Sequence, residues 1–206
     1  RLGNIMDDGL PVPDSADGMG AIALPDGRVA LVRNHEIRAS GRKPEADVIA
    51  AMGNAFRAYD KNDKGEPLPG GTSTLIYNPA TGAVEAEYMS LLGTIRNCAG
   101  GVTPWGSWLT CEEDVTRAGD KVSMDHGYVF EVPAAHKGLV DPVPLKAMGR
   151  FNHEAAAVDP DTGYVYLTED RDDSLFYRFS PKTKGKLADG GALQAAVLPF
   201  KDSRNW

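Results

Sequence analysis

At 206 residues, 42% hydrophobic and 25% charged, the chain carries enough apolar material for one sizeable core or for part of a larger one. No run approaches the roughly 20 apolar residues of a membrane span. A formal charge of -7 excludes a general nucleic-acid binder, whose affinity rests on a clustered basic face that neutralises phosphates.

The first residue is Arg1 and residues 201–206 carry no evident terminus, so the sequence reads as a fragment or a processed chain. Glycines (23) and prolines (14) cut it into short segments of strand residues between turn signals. Pro25-Asp26-Gly27 precedes a strand from Arg28 that runs through Val32 into Asn34-His35-Glu36. From Glu45 to Tyr59 the sequence is Ala-rich with apolar residues at helical spacing, which predicts a surface helix inserted between strands, then a loop from Asp60 to Gly71. Asn78-Pro79-Ala80-Thr81-Gly82 joins two strands as a hairpin, with Pro setting one turn dihedral and Gly accepting a positive one. Residues 128–132 read as a strand with a return strand after it, and Asp159-Pro160-Asp161-Thr162-Gly163 as the hairpin turn before the strand Tyr164-Val165-Tyr166-Leu167.

One ending recurs. Val32-Arg33-Asn34-His35-Glu36, Leu109-Thr110-Cys111-Glu112-Glu113 and Leu167-Thr168-Glu169-Asp170 each run from strand residues into carboxylates, and Phe151-Asn152-His153-Glu154 repeats the Asn-His-Glu. Bare carboxylates repel one another and resist losing water, so their convergence calls for cations, most commonly hard ones. The acidic endings recur at intervals somewhat longer than the roughly 40–50 residues of common propeller repeats. The expectation is an all-β fold, a β-propeller of which this chain supplies about three blades, with inner strands leading to the acidic ends and a short inserted helix. Three blades leave strand edges open for the rest of the chain or a partner.

The densest stretch runs from Asn97 to Glu113. Gly100, Gly101 and Gly106 permit close backbone approach or special dihedrals, and Trp105 and Trp108 offer bulk to wall a site. A thiolate at Cys98 beside carboxylates favours a metal softer than calcium, such as iron or zinc; the bland alternative is that Cys98 and Cys111 are buried apolar residues. The two cysteines are too few for a disulfide framework, lack zinc-ribbon spacing, and leave one disulfide and the redox compartment open. Within Glu112-Glu113 and Glu169-Asp170, strand alternation lets only one member of each pair join a given site. His35 and His153 read first as packing or supporting residues and second as metal ligands, since imidazole suits iron and zinc, and His126 and His136 as residues without a role. The run Asp170-Arg171-Asp172-Asp173 suits calcium and a substrate oxyanion, or a solvated surface.

Taken together, Asn34-His35-Glu36, Gly70-Gly71-Thr72-Ser73-Thr74, the stretch from Asn97 to Glu113, Gly149-Arg150-Phe151-Asn152-His153-Glu154 and Leu167-Thr168-Glu169-Asp170-Arg171 resemble the PhoX alkaline phosphatase family, over its N-terminal and central part. The resemblance implies a six-bladed propeller, usually exported to the periplasm or secreted, whose channel holds two ferric ions (Fe3+) and several calcium ions (Ca2+) around a bridging oxo group. It implies Glu36, Cys98 and Glu154 as iron ligands, Glu113 and Asp170 as calcium ligands, and Asn97 and Arg171 as supporting or phosphate contacts. The implied partners are small-molecule phosphoesters, with no nucleic acid, no membrane and a monomeric protein. Two other readings fit the carboxylates alone: a calcium-dependent propeller lactonase or esterase, and a non-catalytic, calcium-stapled propeller that binds a partner.

Overall fold

The computed structural model describes residues 1–53, 56–119 and 121–197. It is a partial β-propeller of three antiparallel sheets, one per blade. The first contains β1 (Ala16–Ala23), β2 (Val29–His35), β3 (Gly70–Asn78) and β4 (Ala83–Thr94) in that order. The second contains β5 (Asn97–Val102), β6 (Ser107–Glu112) and β7 (Val129–Pro133), and the third β8 (His153–Val158), β9 (Val165–Glu169), β10 (Phe176–Pro181) and β11 (Gly191–Ala195).

The innermost strand of each blade is its first, β1, β5 or β8, and these lie flank to flank. A Cβ on Gly18 of β1 would stand 2.8 Å from the Ala99 Cα of β5, and one on Gly101 of β5 would stand 2.0 Å from the Ala156 carbonyl oxygen of β8. The small residues therefore set how closely the blades approach. Gly101→Ala is expected to push β5 off β8 and cost about 3 kcal/mol, the upper range for overpacking, readable as a lowered urea midpoint.

Cores fill the wedges between blades, and alternation explains how one strand serves two of them. On β6, Trp108 faces the first blade and packs with Ile22, Ala30, Val32 and Phe130. Its neighbours Leu109 and Cys111 face the third blade, with Val129, Ala156, Val165, Leu167 and Phe179. Every residue of β6 is buried, and its polar members Ser107, Thr110 and Glu112 are met by hydrogen bonds inside the fold.

Several expectations change. The acidic endings close the second strand of each blade, not the innermost one, because the chain enters each blade at its innermost strand and works outward. The strand 129–133 gains no return strand among the described residues: Phe130 makes only an isolated bridge to Pro144. The inserted helix is shorter than predicted, α1 (Ala46–Met52), and ends at Gly53, whose φ of +49° a side chain would resist. Asn54 and Ala55, within the predicted helix, and residues 201–206 lie outside the described residues. Trp105 and Trp108 wall no site; each packs in a core wedge, donating from Nε1 to Glu131 at 2.6 Å and to Asn34 at 2.9 Å.

Candidate metal centre

The strand register shows how the site is built. The first residue of each inner strand pairs with the last residue of its neighbour: Ala16 with His35, Asn97 with Glu112, His153 with Glu169. Directly after each of these pairs the inner strand bulges, at residues 17–18, 98–99 and 154–155. A bulge redirects the side chain at that point. The residues that follow the paired positions are Asp17 and Glu36, Cys98 and Glu113, Glu154 and Asp170, so each blade offers two donors at the same end of its inner strands.

These groups meet across blade boundaries. Ligand atoms of Cys98, Glu113 and Glu154 all lie within 4.8 Å of one another. The Cys98 Sγ donates to Glu154 Oε2 at 3.2 Å. The Glu113 carboxyl neighbours that of Asp170, and Asp17 that of Glu36, closely enough for the second acid to hold the first one's pKa up. Arg96 joins the two groups of carboxylates, its Nη2 lying 2.9 Å from Glu36 Oε1 and 2.7 Å from Glu113 Oε2. All five residues expected as metal ligands, Glu36, Cys98, Glu113, Glu154 and Asp170, are therefore brought into one chain of contacts.

Burial first, and facing acids second, raise the pKa values of this cluster. Burial raises the Glu113 carboxyl against the pull of Arg96, and the facing Asp170 raises it further. Burial and the neighbouring Glu36 raise Asp17. The Cys98 thiol is pushed far up by burial and by its hydrogen bond to Glu154.

The register also separates the adjacent acids. Glu113 faces the cluster, while Glu112 is fully buried behind it and accepts from the backbone N–H groups of Ile95, Gly127 and Tyr128 and from His126 Nδ1 at 2.7 Å. His126 in turn reaches Asp60 Oδ2 at 3.1 Å through Nε2. Burial works against its charge, but the hydrogen bonds and charges of Glu112 and Asp60 outweigh it and raise its pKa.

Asn97 and Arg171 do not join the cluster. The Asn97 amide is buried and engaged at both ends, accepting from Thr94 Oγ1 at 2.6 Å and donating to Thr110 Oγ1 at 3.0 Å. Arg171 is exposed and lies 3.9 Å from Asp173. The Cys98 and Cys111 thiols are both free and buried. The two Asn-His-Glu motifs turn out not to be structural repeats, since one closes β2 and the other opens β8. In the first, Asn34 ties two blades together, donating to the Cys98 and Ala99 carbonyl oxygens at 3.1 and 2.8 Å and accepting from Trp108 and Thr110.

Sequence reasoning missed Asp17, Arg96, His126 and Asp60. Asp17 had one available signal: each bulge donor is followed by a small residue, as Asp17-Gly18, Cys98-Ala99 and Glu154-Ala155. His126 and Asp60 had none, because 66 residues separate the partners.

Comparison with known proteins agrees with this architecture. A family model described as alkaline phosphatase PhoX matches residues 1–206. The chain is also similar to the solved structure of Pseudomonas fluorescens PhoX in complex with vanadate, a transition state analogue, with a TM-score of 0.59 and 18% identity, covering 91% of this chain and 46% of that one. The present chain thus spans about half the length of that structure. No curated protein sequence matches it.

Proposed function

The chain belongs to the PhoX alkaline phosphatase family, and from that premise we propose that the complete protein hydrolyses phosphate monoesters at an iron and calcium centre in the propeller channel. The observation that carries this reading is the convergence of one thiol and two carboxylates within 4.8 Å at the rim shared by the blades. That donor set suits a cation softer than calcium at Cys98, while oxygen-only donors suit calcium. Asn152 Oδ1, two residues before Glu154, is a buried acceptor with no partner, consistent with a rim that has oxygen donors to spare.

Cys98 and Glu154, with Glu36, are assigned to ferric iron, and Glu113 and Asp170 to calcium. The register equivalence adds Asp17 beside Glu36 to the oxygen donors. Bound cations would neutralise charge developing on the phosphoryl oxygens and orient the attacking oxygen. The chain's own part is to hold these donors on bulges of packed strands, where little reorganisation is needed. Arg171, next to Asp170, is assigned a phosphate contact. Asn97, locked between Thr94 and Thr110, is assigned to fixing the strand that carries Cys98. A cavity of about 530 Å³ opens beside Glu36, with Arg38 and Lys43 on its lining and Leu10, Met89 and Leu92 beneath, giving room for a leaving group. The protein is assigned to the periplasm or the medium as a monomer; no helix among the described residues is long and apolar enough to cross a membrane.

Elemental analysis of the full-length protein is expected to find iron and calcium together, with turnover of p-nitrophenyl phosphate. Cys98→Ala should lose the iron and at least about 100-fold in activity, as for loss of a metal-orienting group. A variant that keeps iron and full activity would overturn the assignment, and activity with calcium alone that survives iron chelation would favour the lactonase or esterase reading.

A further inference from the structure

Arg96 stands out on three independent counts. Its φ is positive, at +48°, a feature that among the described residues other than glycine it shares only with Ser15, at +51°. A side chain in that region costs on the order of 1–3 kcal/mol and persists where the surroundings require it. Second, its backbone joins both blades: its N–H donates to the Ile37 carbonyl at 3.0 Å, and its own carbonyl accepts from the Glu113 N–H at 2.9 Å. Third, four of the five N–H donors of its guanidinium are engaged. Nε and Nη2 donate to Glu36 Oε1 at 3.0 and 2.9 Å, Nη1 to the Glu113 carbonyl oxygen at 2.9 Å, and Nη2 to Glu113 Oε2 at 2.7 Å.

The register sharpens this. In each blade the backbone N–H after the second strand donates to the carbonyl just before the inner strand: Glu36 to Ser15, Glu113 to Arg96, Asp170 to Asn152. Ser15, Arg96 and Asn152 are therefore equivalent positions, and only the second blade places a cation there. That cation reaches back to the first blade's Glu36. Its planar fork suits this task, because two carboxylates on different blades need donors in a fixed geometry.

We propose that Arg96 is a positioning residue for the centre: it spans the first and second blades, sets the separation of Glu36 and Glu113, and keeps the acidic rim assembled before cations arrive. Glu36 and Glu113 are then held apart by a cation of the chain's own, so the rim does not have to be organised at the moment of loading. The role toward metal rests on the iron and calcium reading above; the interblade clamp does not.

Arg96→Gly in the full-length protein isolates the side chain, since glycine accepts the backbone angle without strain. The chelator-treated variant, titrated with Ca2+, is expected to bind about tenfold more weakly than wild type, with affinity largely restored by millimolar methylguanidinium. Arg96→Lys, a single point charge, should recover only part of the loss. Calcium affinity equal to or above wild type in either variant would overturn the proposal, making the guanidinium a bystander or a competitor for the cation site. Should the wild-type protein bind no cation, the metal reading fails and the clamp is still decided by a double-mutant cycle of Arg96→Lys and Glu36→Gln on urea unfolding without metal. The cycle should show a coupling of about fivefold in the unfolding constant, and additivity would overturn it.

Discussion

Glu112→Ala is expected to destabilise the metal-free protein by about 3–5 kcal/mol, while Glu113→Ala, one residue away, costs about 1 kcal/mol. The two side chains leave the strand in opposite directions and meet opposite surroundings. Glu112 lies at 0% exposure and satisfies three backbone N–H groups together with the imidazole of His126. Removing it strands those donors in a medium without water and leaves a buried imidazole with Asp60 alone, the situation in which breaking a buried pair costs most. Glu113 loses its ion pair with Arg96, but its removal also relieves the crowding with Asp170 and Glu154 that raises its carboxyl. Arg96 keeps Glu36 as a partner. Urea unfolding of chelator-treated protein should therefore separate the neighbours clearly, whereas metal content should reverse the order of importance: a Glu113→Ala protein is expected to be well folded and poor in calcium. Equal losses of stability in the two variants would refute the division of labour between them.

How much of this was legible in the sequence depends on the range over which each signal acts. The hairpin turns and the helix are local, and both appeared where turn chemistry and periodicity placed them, the helix shortened by the dihedral that Gly53 adopts. The number of blades followed from the recurring acidic ends. Their place in the blade did not, since a repeated ending fixes a position along the chain and says nothing about which neighbour pairs with it. The same limit misled the comparison of the two Asn-His-Glu motifs. Identical residues serve there as the end of an outer-going strand and the start of an inner one, and Asn34 has become an interblade tie. Bulges decide which side chains join the donor cluster, and a bulge is a property of two strands in register. Once the register is known, Glu113 and Asp170 separate from Glu112 and Glu169, and Asp17 emerges as the sixth member of the set. Arg96 gave no sign at all in the sequence: an arginine in a turn is ordinary until its dihedral and its four contacts are seen.

The stability of the metal-free protein is expected to fall by on the order of 5 kcal/mol between pH 6.5 and pH 4, through two buried histidines. His35 is held neutral chiefly by burial, which lowers its pKa to about 4. Its Nδ1 lies 3.0 Å from the Asp14 carbonyl oxygen, so Nδ1 carries the hydrogen and Nε2 accepts from the Ser73 hydroxyl at 2.8 Å. A second proton, on Nε2, would face a Ser73 Oγ that already accepts from Arg33 Nη2 at 2.9 Å and would have to turn its own hydrogen away. His153, also lowered to about 4 by burial, stacks on Phe151 with ring centroids 3.6 Å apart, and its Nδ1 has no partner. Both folded values lie below the unfolded value near 6.5, so in this window the unfolded chain binds protons that the folded chain refuses. Stability is then complete above pH 6.5 and is lost as the pH falls toward 4, by about 3 kcal/mol for each imidazole. His126 acts in the other sense. Its pKa is raised in the fold, so its contribution is complete below the unfolded value and is lost only as the pH rises through the folded one. Carboxyls raised by burial, such as Asp8 and Asp17, recover part of the loss at the acid end. Urea midpoints measured across this range should therefore drop steeply, and His153→Leu, which keeps an apolar group against Phe151, should take away about half of the slope. A flat profile in the wild-type protein, or an unchanged slope in the variant, would show that these imidazoles accept their protons without unfolding the blades.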